Sequence, residues 1–353
     1  MIDDLKKHKI LITGASGSLG RQLVYEFDQR DIKPIVHIRK TSDSSYIDAL
    51  GLEKRYADLR HNEELDNLVK DIDLIIHTAA WVNFRQDRLT QFTGINTFGA
   101  LNLYKAASKA KVKRFLHISS VAAIGGISHK EYSKKSDIDD KILANEESPY
   151  NVSQLRIPYF MTKKAAEDEL LKESKNSETE LVIVNPSIIL SPGDDGDDRT
   201  RANRIFKRFV VPDLTVDINM VDIRDLTPGI ISALEKGRNR ERYIMGGDNL
   251  SARDFVLNVS ANLGIMPHVT RLPRPVYNIS ARFYVFFKKL FGRGKISYYP
   301  DLVKLLDYDW IYSSAKARKE LNYRNRSIHT TLQDLLNNNF TGTYMKDMQG
   351  NSH

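Results

Sequence analysis

Lys9 to Gly20, KILITGASGSLG, constrains the fold of this chain more than any other stretch. The apolar run Ile10-Leu11-Ile12 reads as a strand. The amphipathic stretch Arg21 to Arg30 reads as a helix, and three glycines spaced three apart, Gly14, Gly17 and Gly20, separate the two. Each glycine has its own job in such a turn: Gly14 permits the tight bend, Gly17 lets backbone N–H groups approach a pyrophosphate, and Gly20 lets the helix pack on the strand. The positive end of the helix then faces phosphate, with Ser16, Ser18 and Leu19 in the same cradle. Glycines also mark ordinary turns, so the strand before and the helix after carry this reading.

With 353 residues and 41% hydrophobic content, the chain can bury a full α/β core, as one large domain or a domain with a smaller lobe. It has no cysteine, which excludes disulfides, thiolate metal sites and a cysteine nucleophile, and no metal site is expected. The start, MIDDLKKHK, has no apolar signal core and no run of 18 apolar residues follows, so a soluble, cytoplasmic protein is expected. The net charge of +8 is concentrated between Phe255 and Pro300, where seven Arg and Lys meet no acid. The remainder is nearly neutral, which removes the charge argument for nucleic acid.

Lys33 to Arg39 reads as the second strand. An acid at its end would bind the adenosine ribose, whereas a basic residue accepts a 2′-phosphate. Arg39 and Lys40 stand there, with no acid before Asp43, so NADP(H) is favoured over NAD(H); the plainer alternative is two solvated loop charges. Asp58 and Leu59, after a strand around Lys54 to Ala57, are placed to border an adenine, although an Asp there is also an ordinary helix cap. A further strand, Asp73 to Ala80, ends in Thr78, Ala79 and Ala80, small enough for a cofactor to lie against the backbone. His77 within it reads as a core histidine rather than a catalyst. The helix pattern Asn96 to Ala107 opens on Asn96, a candidate cofactor contact, and the next strand, Arg114 to Ser120, brings Ser119 and Ser120 to the ligand edge of a parallel sheet.

The polar stretch Ser128 to Asn151 reads as a lid or a disordered segment. It leads into a helix pattern, Ile157 to Leu171, that carries Tyr159 and Lys163 on one face. Two other pairs share that spacing, Tyr284/Lys288 and Tyr312/Lys316, so spacing alone decides nothing. Only Tyr159/Lys163 falls between the strand ending at Ser120 and the next strand, Glu180 to Val184. A phenol, with an ordinary pKa of about 10, becomes a usable acid/base when a neighbouring ammonium stabilises the phenolate. Ser120 would hold the substrate oxygen, Tyr159 would exchange a proton with it, and Lys163 would tune Tyr159 and bind the nicotinamide ribose.

GASGSLG, Asp58-Leu59, HTAA, Ser119-Ser120, YFMTK and VIVNPSIIL together resemble the extended short-chain dehydrogenase/reductases, the NAD-dependent epimerase/dehydratase family, over about residues 8 to 335. VDIRDL, YIMGGDNLS and SSAKARKELNY resemble its dihydroflavonol-reductase and 3β-hydroxysteroid-dehydrogenase branch. The resemblance implies a seven-stranded parallel Rossmann sheet with a small C-terminal substrate lobe. Residues 1–190, with 218–247 returning to the sheet, would form the first, and 191–217 with 248–335 the second. It also implies Ser120, Tyr159 and Lys163 as the catalytic trio, Asn185, Pro186 and Ser187 along the nicotinamide, and a homodimer through the helices containing Asn96 to Ala107 and Tyr159 to Leu171. Ser18 departs from the aromatic that many relatives carry, and Pro158 suits a helix start.

The rest of the chain should choose the substrate. Ala202 to Val211 reads as a basic amphipathic helix whose Arg204 and Arg208 meet an anionic substrate or solvent. Asp222 to Asp225 reads as a structural link in which Arg224 and Asp225 pair. Val276 to Phe291 is apolar along one helical side, either a packed lobe helix or subunit contact, or a lid or peripheral membrane contact through 276–295. Residues 340–353 read as a frayed, flexible tail. The expected activity is an NADP(H)-dependent interconversion of carbonyl and alcohol on a small, mainly apolar substrate. An NAD-dependent nucleotide-sugar epimerase or dehydratase is the alternative, and a non-catalytic dinucleotide sensor a third reading.

Overall fold

The computed structural model describes residues 2–82, 89–129, 142–192, 211–266, 269–271, 276, 299–337 and 340–344. Seven parallel strands form the central sheet, in the order Glu241–Met245, Glu180–Pro186, Arg114–Ile118, Leu74–His77, Ile10–Thr13, Ile35–Ile38 and Lys54–Tyr56. The strands between the two edges read as near-continuous apolar runs because both faces are covered. Alternation then sends Ile10 and Ile12 to one side, where they pack with Leu23 and Phe27 of the helix Ser18–Asp28 and with Leu226 and Ile230 of the helix Ile223–Lys236. Leu11, Ile75 and Phe115 go to the other side and meet Leu103 of the helix Ala100–Lys109 and Leu170 of the helix Pro158–Ser174. This is the Rossmann architecture expected.

From Ile10–Thr13 the chain builds outward through Ile35–Ile38 and Lys54–Tyr56, then crosses back to place Leu74–His77 on the opposite side. The order therefore reverses beside the first strand, and a crevice opens at the carboxyl ends of Ile10–Thr13 and Leu74–His77.

Of the stretch 218–247, only Glu241–Met245 joins the central sheet. Asp217–Asp222 lies in a second, three-stranded sheet, parallel to Ile188–Leu190 and antiparallel to Asp248–Ser251. The reason is local: a Cβ on Gly247 would sit 2.1 Å from the Met220 carbonyl oxygen, so only glycine lets the two backbones meet there. The buried Asn219 locks the join by donating to the Gly247 carbonyl at 3.0 Å and accepting from its N–H at 3.0 Å.

Two further expectations are corrected. Arg224 does not pair with Asp225; it bridges Asp222 and Asp334 at 2.7 and 2.9 Å, while Asp225 takes Arg326 at 2.8 Å. Successive residues on a helix do not face each other. The chain from 340 to 344 is not frayed: Phe340 lies under the Arg224 guanidinium at 3.7 Å, Tyr344 is buried against Tyr46, and Gln22 donates to the Gly342 carbonyl at 3.0 Å. The expectations for 202–210 and 277–295 lie outside the described residues, as does 345–353; Val211, assigned to the first of these helices, opens the strand Val211–Asp213. Among the described residues no helix is long and apolar enough to cross a membrane.

Candidate active site

The crevice begins at the glycine turn. Gly14 has φ +71°, and a Cβ there would lie 2.8 Å from the Ala79 backbone, so the first and fourth strands approach closely only because this residue is glycine. A Cβ on Gly20 would lie 2.2 Å from the Gly14 carbonyl oxygen, whereas one on Gly17 would be 3.4 Å from it. Gly14 and Gly20 are thus needed to build the turn, and Gly17 leaves space in front of it. The helix Ser18–Asp28 starts at Gly17 with no side-chain cap, so its first N–H groups face the crevice.

A cleft of about 1250 Å³ opens from this turn. Gly14, Ser16, Gly17, Ser18, Leu19, Gly20, Arg39, Lys40, Asp58, Leu59, Thr78, Ala79 and Ala80 all line it, as the sequence suggested. Arg60 and Trp81 line it too and were not anticipated. Arg60 clasps Asp58, donating from Nε at 2.9 Å, and this hydrogen bonding holds the Asp58 carboxyl down at about 2. Asp58 therefore meets the cleft already paired. Ser18 donates to the Ser191 hydroxyl at 3.1 Å, tying the turn to the segment after Ile188–Leu190. Asn96 does not line the cleft. It sits in a π-helical turn, Thr93–Gly99, accepts from the Trp81 N–H at 2.6 Å and donates to the Trp81 carbonyl at 3.1 Å, and so shapes the cleft wall through Trp81.

The helix Pro158–Ser174 starts on Pro158 and points Tyr159 and Lys163 at the end of the strand Arg114–Ile118. Tyr159 is half-buried and shares a hydrogen bond with Ser120; burial pushes its phenol up, and the Ser120 contact offsets part of that. Lys163 is 4% exposed and donates from Nζ to the Ile118 carbonyl at 2.8 Å. Burial brings its pKa down to about 8, with the Glu167 carboxylate opposing. Lys163 thus anchors on the sheet, and burial rather than a lysine contact dominates the Tyr159 environment. The third Tyr/Lys pair is engaged elsewhere: Tyr312 donates to the Gly125 carbonyl and Lys316 to Glu241.

A buried polar layer lies beside this trio; His77, Asn185 and Ser187 in it were expected from the sequence, and His117 and Glu167 were not. His77 shares a 2.7 Å hydrogen bond with Thr13 and stacks on His117 at 5.4 Å. Burial first, then the Lys163 charge, push His77 down to about 3 and His117 in the same direction. Both rings are neutral. Asn185 donates to the Ser120 carbonyl at 3.0 Å and to Glu167 Oε1 at 2.5 Å. Among the described residues, Asn185 Oδ1 and the Ser187 hydroxyl are buried with no hydrogen-bond partner, which marks a place for a polar ligand beside the trio. Glu167 has a sequence signal that could have found it: an acid one turn beyond Lys163 on the face that carries Tyr159.

Three comparisons bear on this geometry. The family model for the NAD dependent epimerase/dehydratase family matches residues 10–246. Sterol demethylase protein B of Methylococcus capsulatus is 26% identical over 325 residues, 88% of this chain and 92% of that protein. The UDP-glucose 4-epimerase of Vibrio cholerae is 25% identical over 304 residues, 81% of this chain and 83% of its own. Among solved structures, that of gox2253 aligns with a TM-score of 0.77 at 26% identity, covering 94% of this chain and 97% of that one.

Proposed function

Because the chain belongs to the NAD dependent epimerase/dehydratase family of extended short-chain dehydrogenase/reductases, we propose that it is an NADP(H)-dependent oxidoreductase. It interconverts a carbonyl and an alcohol on a small, mainly apolar substrate. The observation that carries this is the meeting of Ser120, Tyr159 and Lys163 at the end of one strand. The glycine turn and its uncapped helix end would hold the pyrophosphate, Arg39 and Lys40 the 2′-phosphate, and Asn185 and Ser187 the nicotinamide end. The nicotinamide, when bound, supplies or accepts the hydride. Ser120 orients the substrate oxygen, and the neutral Tyr159 phenol donates a proton to it during reduction. Lys163, anchored on the Ile118 carbonyl, would hold a positive charge on the helix face that carries that phenol.

The sterol-related relative in Methylococcus capsulatus supports an apolar substrate. The Vibrio cholerae epimerase supports the second reading, in which tightly held NAD(H) is reduced and reoxidised in one cycle. Phe98 and Met161, 54% and 39% exposed, support a homodimer through their helices as part of the proposal.

Titration of the purified protein with NADPH and NADH, following nicotinamide fluorescence, tests the cofactor. Preferential NADPH binding that is lost in Arg39→Ala/Lys40→Ala is expected. Copurified NAD that does not exchange, read by mass spectrometry, would favour the epimerase instead. With a ketone substrate found by screening, Tyr159→Phe should lower kcat by about 10²- to 10⁴-fold with NADPH binding retained.

A further inference from the structure

Glu167 lies two helical turns beyond Tyr159 and one beyond Lys163, at i, i+4 and i+8 on the helix Pro158–Ser174. It is 1% exposed, far from the water that a glutamate normally keeps. A carboxylate in such a place must be compensated, and the compensation runs directly to the trio. Oε1 accepts from Asn185 Nδ2 at 2.5 Å, and the other hydrogen of the same amide nitrogen goes to the Ser120 carbonyl at 3.0 Å. Both partners are acceptors, so the NH₂ of Asn185 must face them. The orphaned Oδ1 is therefore turned away from Glu167 by chemistry rather than by choice of rotamer. On the other side, Oε2 meets the Arg242 guanidinium at 3.5 Å. Arg242, on the strand Glu241–Met245, also donates to the Glu146 backbone carbonyl, and the Glu146 carboxylate accepts from the Ile244 N–H at 2.8 Å.

We propose that Glu167 is the positioning residue of this site, fixing the Ser120 backbone through Asn185 and holding the Lys163 ammonium by its charge. This rests on the reading of Ser120, Tyr159 and Lys163 as the reacting trio. Among the described residues, Tyr159 shares the helix face of Lys163, His77 and His117 on the adjoining strands feel its charge, and Arg242 and Lys164 act on Glu167. The two histidines are pushed toward their neutral forms, and the carboxyl of Glu167, one turn along the same helix, is the group that opposes the burial of the Lys163 charge. Burial pushes the Glu167 carboxyl up, and the Ser119 hydroxyl, the Arg242 charge and the Asn185 amide oppose that rise in favour of the anion.

The test uses the full chain, labelled with ¹³C at lysine Cε, with the Lys163 resonance assigned by its loss in Lys163→Arg and followed against pH without cofactor. In Glu167→Gln, which retains a carbonyl acceptor for Asn185 but no charge, the Lys163 midpoint should fall by about one pH unit, a tenfold loss in the ratio of charged to neutral form. Arg242→Gln should move it in the same direction by less, and because Arg242 is partly exposed it decides the matter if Glu167→Gln does not fold. A midpoint that moves by less than about a third of a unit in a folded variant overturns the proposal. With the ketone substrate in hand, Glu167→Gln should lower kcat and displace its pH profile while the NADPH dissociation constant holds. A purely structural Glu167 would move neither the midpoint nor the profile. If NADPH fails to bind at all, the functional reading falls while the titration still reports on Glu167.

Discussion

The Lys163 ammonium donates to the carbonyl oxygen of Ile118 at 2.8 Å, a charged side chain pinned under the end of a strand with almost no access to water. An ammonium held in this way pays in desolvation and is partly repaid by the carbonyl and by Glu167. Buried in this way the charge cannot wander, which suits the role proposed for Lys163 beside Tyr159.

That burial makes stability depend on alkaline pH. The folded pKa of Lys163 is brought from 10.5 to about 8, so between those values the unfolded chain binds the extra proton and folding grows more favourable as pH rises. Lys163→Met removes the effect. Chemical denaturation of both proteins from pH 7 to 10.5 should show the wild type gaining on the variant by up to about 1.4 kcal/mol per pH unit inside the window. A constant difference would mean that Lys163 is not buried as described.

The acid side depends on histidines. His37, His77 and His117 are all pushed below the ordinary value of 6.5, each chiefly by burial, and His77 reaches about 3. Their contribution is intact above pH 6.5 and is lost as pH falls toward the folded values, because only the unfolded chain takes up those protons. Urea midpoints should drop between pH 6.5 and 4.5, and His77→Gln should flatten the slope by about one proton's worth, roughly 1.4 kcal/mol per pH unit.

The glycine turn separates building from binding. Gly20→Ala places a Cβ 2.2 Å from the Gly14 carbonyl oxygen and should lower the melting temperature of the cofactor-free protein by several degrees. Gly17→Ala meets its nearest atom at 3.4 Å and should leave that temperature nearly unchanged. It should nevertheless weaken NADPH binding at least tenfold, since the added methyl occupies the side where backbone N–H groups would meet phosphate. Equal losses of binding and stability in both variants would argue against this division.

Truncation after residue 339 checks the packed C-terminal segment. Phe340 and Tyr344 are buried, and their loss should cost on the order of 3 kcal/mol in denaturation experiments. It also strips the ring from the Arg224 guanidinium, whose pairs with Asp222 and Asp334 hold the helices Ile223–Lys236 and Ile328–Leu336 together. An unchanged midpoint would restore the picture of a frayed tail.

Local pattern determined much of this protein. The spacing of Gly14, Gly17 and Gly20 between a strand and a helix reports steric needs of a few neighbouring residues, and the apolar runs report strands buried on both faces. Those features made the sheet, the turn and the trio's helix legible in the sequence. What only the tertiary structure decided involves partners far apart along the chain. Glu167 reaches Asn185 and Arg242, Arg224 reaches Asp334, and Asn96 reaches Trp81, in each case because the fold brings buried polar atoms together and leaves them no water to choose instead. Spacing rules see one face of one element; the satisfaction of a buried charge is a property of every element packed around it.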